Sequence, residues 1–227
     1  MRVSQLLGPL LVTLVGSASL SVSGADFGSQ RTEVNGVSID LRPPEGYVDI
    51  CSQDQALCQK LTSGYPASAK TLGYFVRAGE WQSFQNRKGL GFNHYLIAQH
   101  AGSMSPERLP AFKKHLRANQ GRLPDQTELP KTLREKGRVE LGIFDETPDS
   151  ISFGIIMKLE SSGNSTNNMS LVSANAVVRL PNCMLSLYVY QSYQGESDIK
   201  AVQEFTNAWV RQILQKNKEI RAIKALD

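Results

Sequence analysis

Between residues 138 and 217 the chain alternates apolar and polar side chains four times over, then changes period. Val139, Leu141 and Ile143 alternate with Arg138, Glu140 and Gly142. Ile151, Phe153, Ile155, Met157 and Leu159 recur at every second position, as do Val172, Ala174, Ala176, Val178 and Leu180. In the fourth stretch Leu185, Leu187 and Val189 are opposed by Ser186, Tyr188 and Tyr190. Side chains two apart on an extended chain share a face, so each stretch predicts a strand with one buried side. The turn clusters Asp145–Ser150 and Pro181–Cys183 are too short for a crossover and predict antiparallel hairpins. The Ser161–Ser170 link is longer and almost wholly polar. Ile199, Val202, Phe205, Trp209 and Ile213 then recur at three- and four-residue steps, the apolar stripe of a helix that docks on the sheet. Ser197 or Asp198 suits its N-cap, and Lys216 and Lys218 complement the dipole near its end.

The first half is less regular. Asn35-Gly36 accepts the positive φ angles of a tight hairpin turn, with Val37, Ile39 and Leu41 on the outgoing strand. Pro43–Gly46 is a second turn from which Tyr47–Ile50 returns. Gln53–Leu61 predicts a short helix, Leu72–Val76 a strand, Glu80–Gln85 one helical turn, and Phe92–His100 a further strand. Ser105-Pro106-Glu107 opens a helix with Leu109, Phe112 and Leu116 inward, Pro110 shortening its first turn and Gly121 stopping it. Leu129–Lys136 predicts a second short helix. The order strands, helices, strands, helix gives an α+β fold: an antiparallel β-sheet with helices packed on it and the C-terminal helix docked on the sheet.

The N-terminus changes the picture of where this fold works. Arg2 precedes an apolar run, Leu6–Val15, and Ser23-Gly24-Ala25 fits a small-x-small cleavage pattern. Residues 1–25 therefore predict a secretory signal peptide, and 26–227 one exported domain in the periplasm or outside the cell. No later stretch is long and apolar enough to span a bilayer as a helix. An oxidising compartment admits disulfides. Cys51 and Cys58, seven positions apart, are the natural pair, and Cys183 is left over, although spacing alone leaves every pairing open. Asn164-Ser165-Thr166 and Asn168-Met169-Ser170 match the N-glycosylation pattern, which acts only in a eukaryotic secretory route.

Gly36-Val37-x-Ile39-x-Leu41 followed by Pro44-x-Gly46-Tyr47 resembles the first hairpin of PsbP/Mog1-type domains. The close, hairpin strands and a docked helix, is similar in outline. The opening also resembles exported bacterial proteins that begin with a Pro-x-Gly-Tyr turn. These segments cover about a tenth of the chain and bring no catalytic residues with them. The resemblance implies binding or assembly rather than catalysis.

The chemistry legible in the chain is sparse. It holds no GxSxG, no HExxH, no Walker loop and no dinucleotide fingerprint, so no cofactor is expected. His94 and His100 share a strand face but stand about 20 Å apart, too far to ligate one metal ion. Asp145, Glu146 and Asp149 cluster near one turn without the spacing of a calcium loop. The formal net charge is +4, one unit of which leaves with Arg2. Basic residues concentrate in the middle, where Arg108, Lys113, Lys114, Arg117 and Arg122 outnumber nearby acids. Lys113, Lys114 and Arg117 are therefore candidate contacts for an anionic envelope component or an envelope protein, and Tyr188 and Tyr190 candidates for an aromatic ligand face. A nucleic-acid partner is not expected at this charge without a motif. The chain reads as an exported, non-catalytic binding or assembly domain of the cell envelope, with a small secreted hydrolase as the alternative.

Overall fold

The computed structural model describes residues 31–63, 65, 69–86, 92–101, 105–122, 133–161 and 168–224. The signal-peptide segment, Lys131 and Asn164 lie outside them. Strands β1 (Arg31–Val34) and β2 (Val37–Asp40) form a separate hairpin. Its turn is Asn35-Gly36, with φ of 52° and 74°. Seven strands make the main antiparallel sheet: β3 (Tyr47–Asp49), β4 (Ala69–Arg77), β5 (His94–Ala101), β6 (Leu133–Thr147), β7 (Ser150–Ser161), β8 (Asn168–Leu180) and β9 (Cys183–Ser192). Their order is β3-β4-β5-β9-β8-β7-β6. The α+β class and the antiparallel sheet are as the sequence predicts.

The terminal helix α5 (Glu196–Lys224) lies on one face of this sheet. Val202, Trp209, Val210 and Ile213 pack on Leu96, Ala98, Val172, Ala174, Leu185 and Leu187. All of these are buried apolar side chains, the Val, Leu and Ile among them each contributing about 1.5–3 kcal/mol once fully removed from water. The N-cap expected at Ser197 or Asp198 falls earlier, because α5 begins at Glu196; Asp198 lies in its first turn and its carboxylate accepts from the preceding Gln194 and Gly195 amides at 2.7 and 3.1 Å. Further along, Asn217 ties α5 to β2. Its Oδ1 accepts from Asp40 N, and its Nδ2 donates to Asp40 O, both at 3.0 Å. Val34, Ile39 and Leu41 of the first hairpin join the same core.

Two groups of helices cover the opposite face. Helices α1 (Ile50–Gln53), α2 (Gln55–Thr62) and α3 (Ala78–Gln85) pack over β3, β4 and β5 through Ile50, Trp81, Leu57 and Phe84. Helix α4 (Leu109–Ala118), entered through a 3₁₀ turn at Pro106–Arg108, covers the far corner. There Leu109 and Leu116 meet Ile151, Phe153, Val177 and Met184.

Several local expectations change. Tyr47–Ile50 does not return against the first hairpin: β3 pairs with β4, because Val48 and Val76 then share the core under Trp81. The helix expected over Gln53–Leu61 is two helices broken at Asp54, whose extended backbone lets its carboxylate cap α2 by accepting from Leu57 N at 2.9 Å. Of the helix expected over Leu129–Lys136, the described part is strand, since β6 begins at Leu133 and pairs there with β7. Helix propensity yields to the ladder.

The hairpin turn between β6 and β7 is also tighter than expected. Asp145, Glu146 and Thr147 are still strand, leaving a two-residue turn at Pro148-Asp149. Bulges between Glu135/Gly137, Glu140/Gly142 and Ile143/Asp145 break the alternation of β6, and Val139, expected inside, is 52% exposed. Such bulges blunt an edge strand against pairing with other chains.

Candidate binding site

The basic helix comes first. On α4 the apolar residues Leu109, Phe112 and Leu116 turn inward, and Lys113 lies close to the same side. It is only 6% exposed. Its Nζ donates to the backbone carbonyls of Thr147 and Pro148 and sits 3.5 Å from a Glu146 oxygen. Arg117 grips the same Glu146 with two donors, Nε at 3.1 Å from Oε2 and Nη2 on Oε1. That fork holds the Glu146 carboxyl below its usual range, first through the Arg117 hydrogen bond. Lys113 and Arg117 thus fasten α4 to the β6–β7 turn. Lys114 remains exposed toward solvent, with Arg108 and Arg122. The three acids grouped in the sequence are separated: Glu146 serves α4, and Asp149 pairs with Arg179 at 2.7 Å.

Tyr188 and Tyr190 lie on the sheet face opposite α5. The register places Tyr95 beside Tyr190 and Ile97 beside Tyr188, with Ser173 and Asn175 on their other flank. Directly opposed residues of an antiparallel pair present side chains to the same face. The rings stack into a ladder across three strands. Tyr74 on Tyr95 has centroids 5.4 Å apart, Tyr95 on Tyr190 4.7 Å, and Tyr190 on Tyr188 6.3 Å, with interplanar angles of 7°, 19° and 13°. Tyr65, after α2, packs against this cluster.

Burial raises the phenol pKa of all five tyrosines, so they are neutral donors and acceptors at physiological pH. Polar side chains follow the ladder in a strip: Ser173, Asn175, Ser186 and Gln99. Ser173 Oγ donates to Asn175 Oδ1 at 3.2 Å. Gln99, opposite Ser186, is 3% exposed, and its Nε2 has no hydrogen-bond partner among the described residues. This strip runs between the two helical covers, beside an apolar cluster of Ile155, Met157, Leu159 and Leu171 that packs on Tyr190, and its Ser173, Asn175 and Gln99 are buried; the α5 face is mainly apolar, with His94 and Ser152 buried in it.

The sequence pointed to Tyr188 and Tyr190 but missed Tyr74, Tyr95, Ser173, Asn175 and Gln99. Their signal is the side-chain parity of β4, β5 and β8, which becomes usable only once β5 and β8 are known to flank β9 and β4 to pair with β5.

Two other reactive groups, His94 and Cys183, are enclosed. His94, on the α5 face, is 3% exposed. The Tyr47 hydroxyl meets its Nδ1 at 2.6 Å, and Phe205 packs on both rings. Burial, with Arg77 nearby, pushes the imidazole down to about 4. The phenol therefore donates to a neutral imidazole, whose Nε2 has no partner among the described residues. Cys183 is buried, and desolvation lifts its thiol to about 11. Cys51 and Cys58 pair across α1 and α2 with Cα atoms 4.8 Å apart. Among the described residues no three His, Cys, Asp or Glu side chains converge as metal ligands.

No protein-family model matches the chain, and no curated protein matches it. Two solved structures align over 83% of it and 92% of their own chains. One is the Saccharomyces cerevisiae Ran-binding protein Mog1p, 14% identical with a TM-score of 0.34. The other is a point mutant of protein Mog1, 13% identical with a TM-score of 0.33. Likeness at that level says nothing about what this chain binds.

Proposed function

We propose that the protein is an exported, non-catalytic binding domain of the cell envelope that recognises a neutral, hydroxyl-rich ring ligand, the chemistry of a glycan, on its tyrosine strip. The observation that carries this reading is the interleaving of four stacked tyrosines with hydroxyl and amide side chains on one sheet face. Sugar rings offer C–H faces to aromatic rings and hydroxyls to polar groups. A buried amide N–H without a partner costs about 1–3 kcal/mol, and a ligand acceptor reaching Gln99 recovers it. Recognition also suits the state of the enclosed groups. Cys183 is held as the thiol rather than the nucleophilic thiolate, and His94 is locked on Tyr47.

The test is a glycan array, followed by titration calorimetry with the saccharides retained. Tyr188→Ala and Tyr190→Ala are expected to weaken binding by about tenfold or more, since a stacked aromatic contact is worth about 0.5–1.5 kcal/mol beyond its buried area. Tyr188→Phe keeps the ring and is expected to retain most of the affinity. An array that retains no saccharide overturns the reading, as does unchanged binding by folded alanine variants.

The exposure of Lys114, Arg108 and Arg122 favours a second contact, with an anionic envelope component through α4.

A further inference from the structure

A cleft of about 360 Å³ opens at the end of the sheet, away from the tyrosine strip, between the 3₁₀ turn before α4, the two hairpin turns and the last part of α5. Its apolar surface comes from Leu180, Pro181 and Leu214. Three charged side chains have capacity to spare. Arg179 is held from one side, its Nε and Nη2 both donating to Asp149 Oδ1 at 3.0 and 2.7 Å, which leaves Nη1 without a partner among the described residues. Lys218 is exposed and makes no ion pair among the described residues. Glu107 is an exposed carboxylate that a Ser105 hydrogen bond holds below its ordinary range, with Arg179 contributing from nearby. Asn217, also in the wall, is already spent on Asp40 and Ile213, so it sets the shape of the cleft rather than its chemistry.

Asp149 neutralises most of the Arg179 charge but leaves its remaining N–H groups able to donate. The cleft therefore carries cationic donors, Lys218 and Arg179 Nη1, beside the carboxylate of Glu107, around an apolar surface. We infer that this cleft binds a small zwitterion of amino-acid to dipeptide size, its carboxylate on Arg179 and Lys218, its ammonium on Glu107, and an apolar side chain on Leu180 and Leu214. A guanidinium donor pre-positioned by one carboxylate suits a second, planar carboxylate. The volume lies at the lower end of the range for small-molecule sites.

Leucyl-leucine, its N-acetyl form and its C-terminal amide distinguish this from general stickiness. With the exported protein in an ¹⁵N-resolved NMR titration, the free dipeptide is expected to shift amides at Leu180 and Leu214 saturably. Capping either end is expected to weaken it by about tenfold, the loss of one charge-assisted hydrogen bond. Lys218→Gln and Glu107→Gln, both at exposed positions, are each expected to weaken the free dipeptide about threefold to tenfold with Tm unchanged. Equal responses to all three dipeptides, or no response at concentrations of order 10 mM, overturn the assignment. Saccharide binding at the tyrosine strip is read on a different face and stays unaffected by these variants.

Discussion

At His94 two demands meet, the burial of an imidazole and the preservation of one hydrogen bond to Tyr47. The folded-state pKa, about 4, lies below the ordinary 6.5, so between these values the unfolded chain holds a proton that the native chain refuses. This contribution to stability is complete above about pH 6.5 and is lost as pH falls toward 4, amounting to on the order of 3 kcal/mol. Urea denaturation across pH 4–7 is expected to show that slope, and His94→Gln to flatten it; an identical slope in the variant places the titration elsewhere. Cys51 and Cys58 act on the unfolded state instead. Their bridge closes a short loop, worth roughly 2–3 kcal/mol in chain entropy. Replacing both with serine is expected to lower Tm by about 4–10 °C without altering the far-ultraviolet circular dichroism. A non-reduced digest linking Cys183 to either partner would show this pairing wrong.

Among elements, α4 is placed by a close approach of two backbones. Gly121, at its end, has φ +84°, and a Cβ there would meet the Gly142 backbone of β6 at 3.1 Å. Gly142 is itself a bulge residue, with φ +77°. Gly121→Ala combines a left-handed backbone with a tight contact against main-chain atoms, and is expected to cost about 1–3 kcal/mol in chemical denaturation. On the same helix the roles of the cations divide. Charge reversal at Lys113 or Arg117 breaks the Glu146 anchor and is expected to cost stability. Lys114→Glu is expected to leave Tm unchanged while weakening binding to anionic vesicles at low salt. Vesicle binding that persists unchanged in Lys114→Glu returns this surface to ordinary solvation.

For the whole molecule, the long-range pairing of β5 with β9 decides what is built. The chain crosses from β5 to the far edge at β6 and works back by hairpins to β9, closing the sheet beside the strand it left. That closure gathers Tyr74, Tyr95, Tyr188 and Tyr190 into one ladder. Export is the matching proposal at this scale. N-terminal sequencing of the protein recovered from the periplasm or medium is expected to begin at Asp26, and a cytosolic product that retains Met1 would remove both the compartment and the oxidising environment assumed for Cys51 and Cys58.

What the sequence determined by itself was local and periodic. The Asn35-Gly36 turn, the hairpins from β6 to β9 and the stripe of α5 follow from backbone preference and from which side chains avoid water. These signals act over a few residues, so they survive in any context that supplies a core. Tertiary structure decided the rest, because it depended on partners distant in the chain. Helix propensity at Leu133–Lys136 gave way to pairing with β7, and bulges turned Val139 outward at the sheet edge. Lys113, polar by composition, went inside because two turn carbonyls and Glu146 supply the contacts water would have made. The tyrosine strip belongs to this second class. Its residues come from four strands, and only the order in which those strands pair sets their rings and amides on one face.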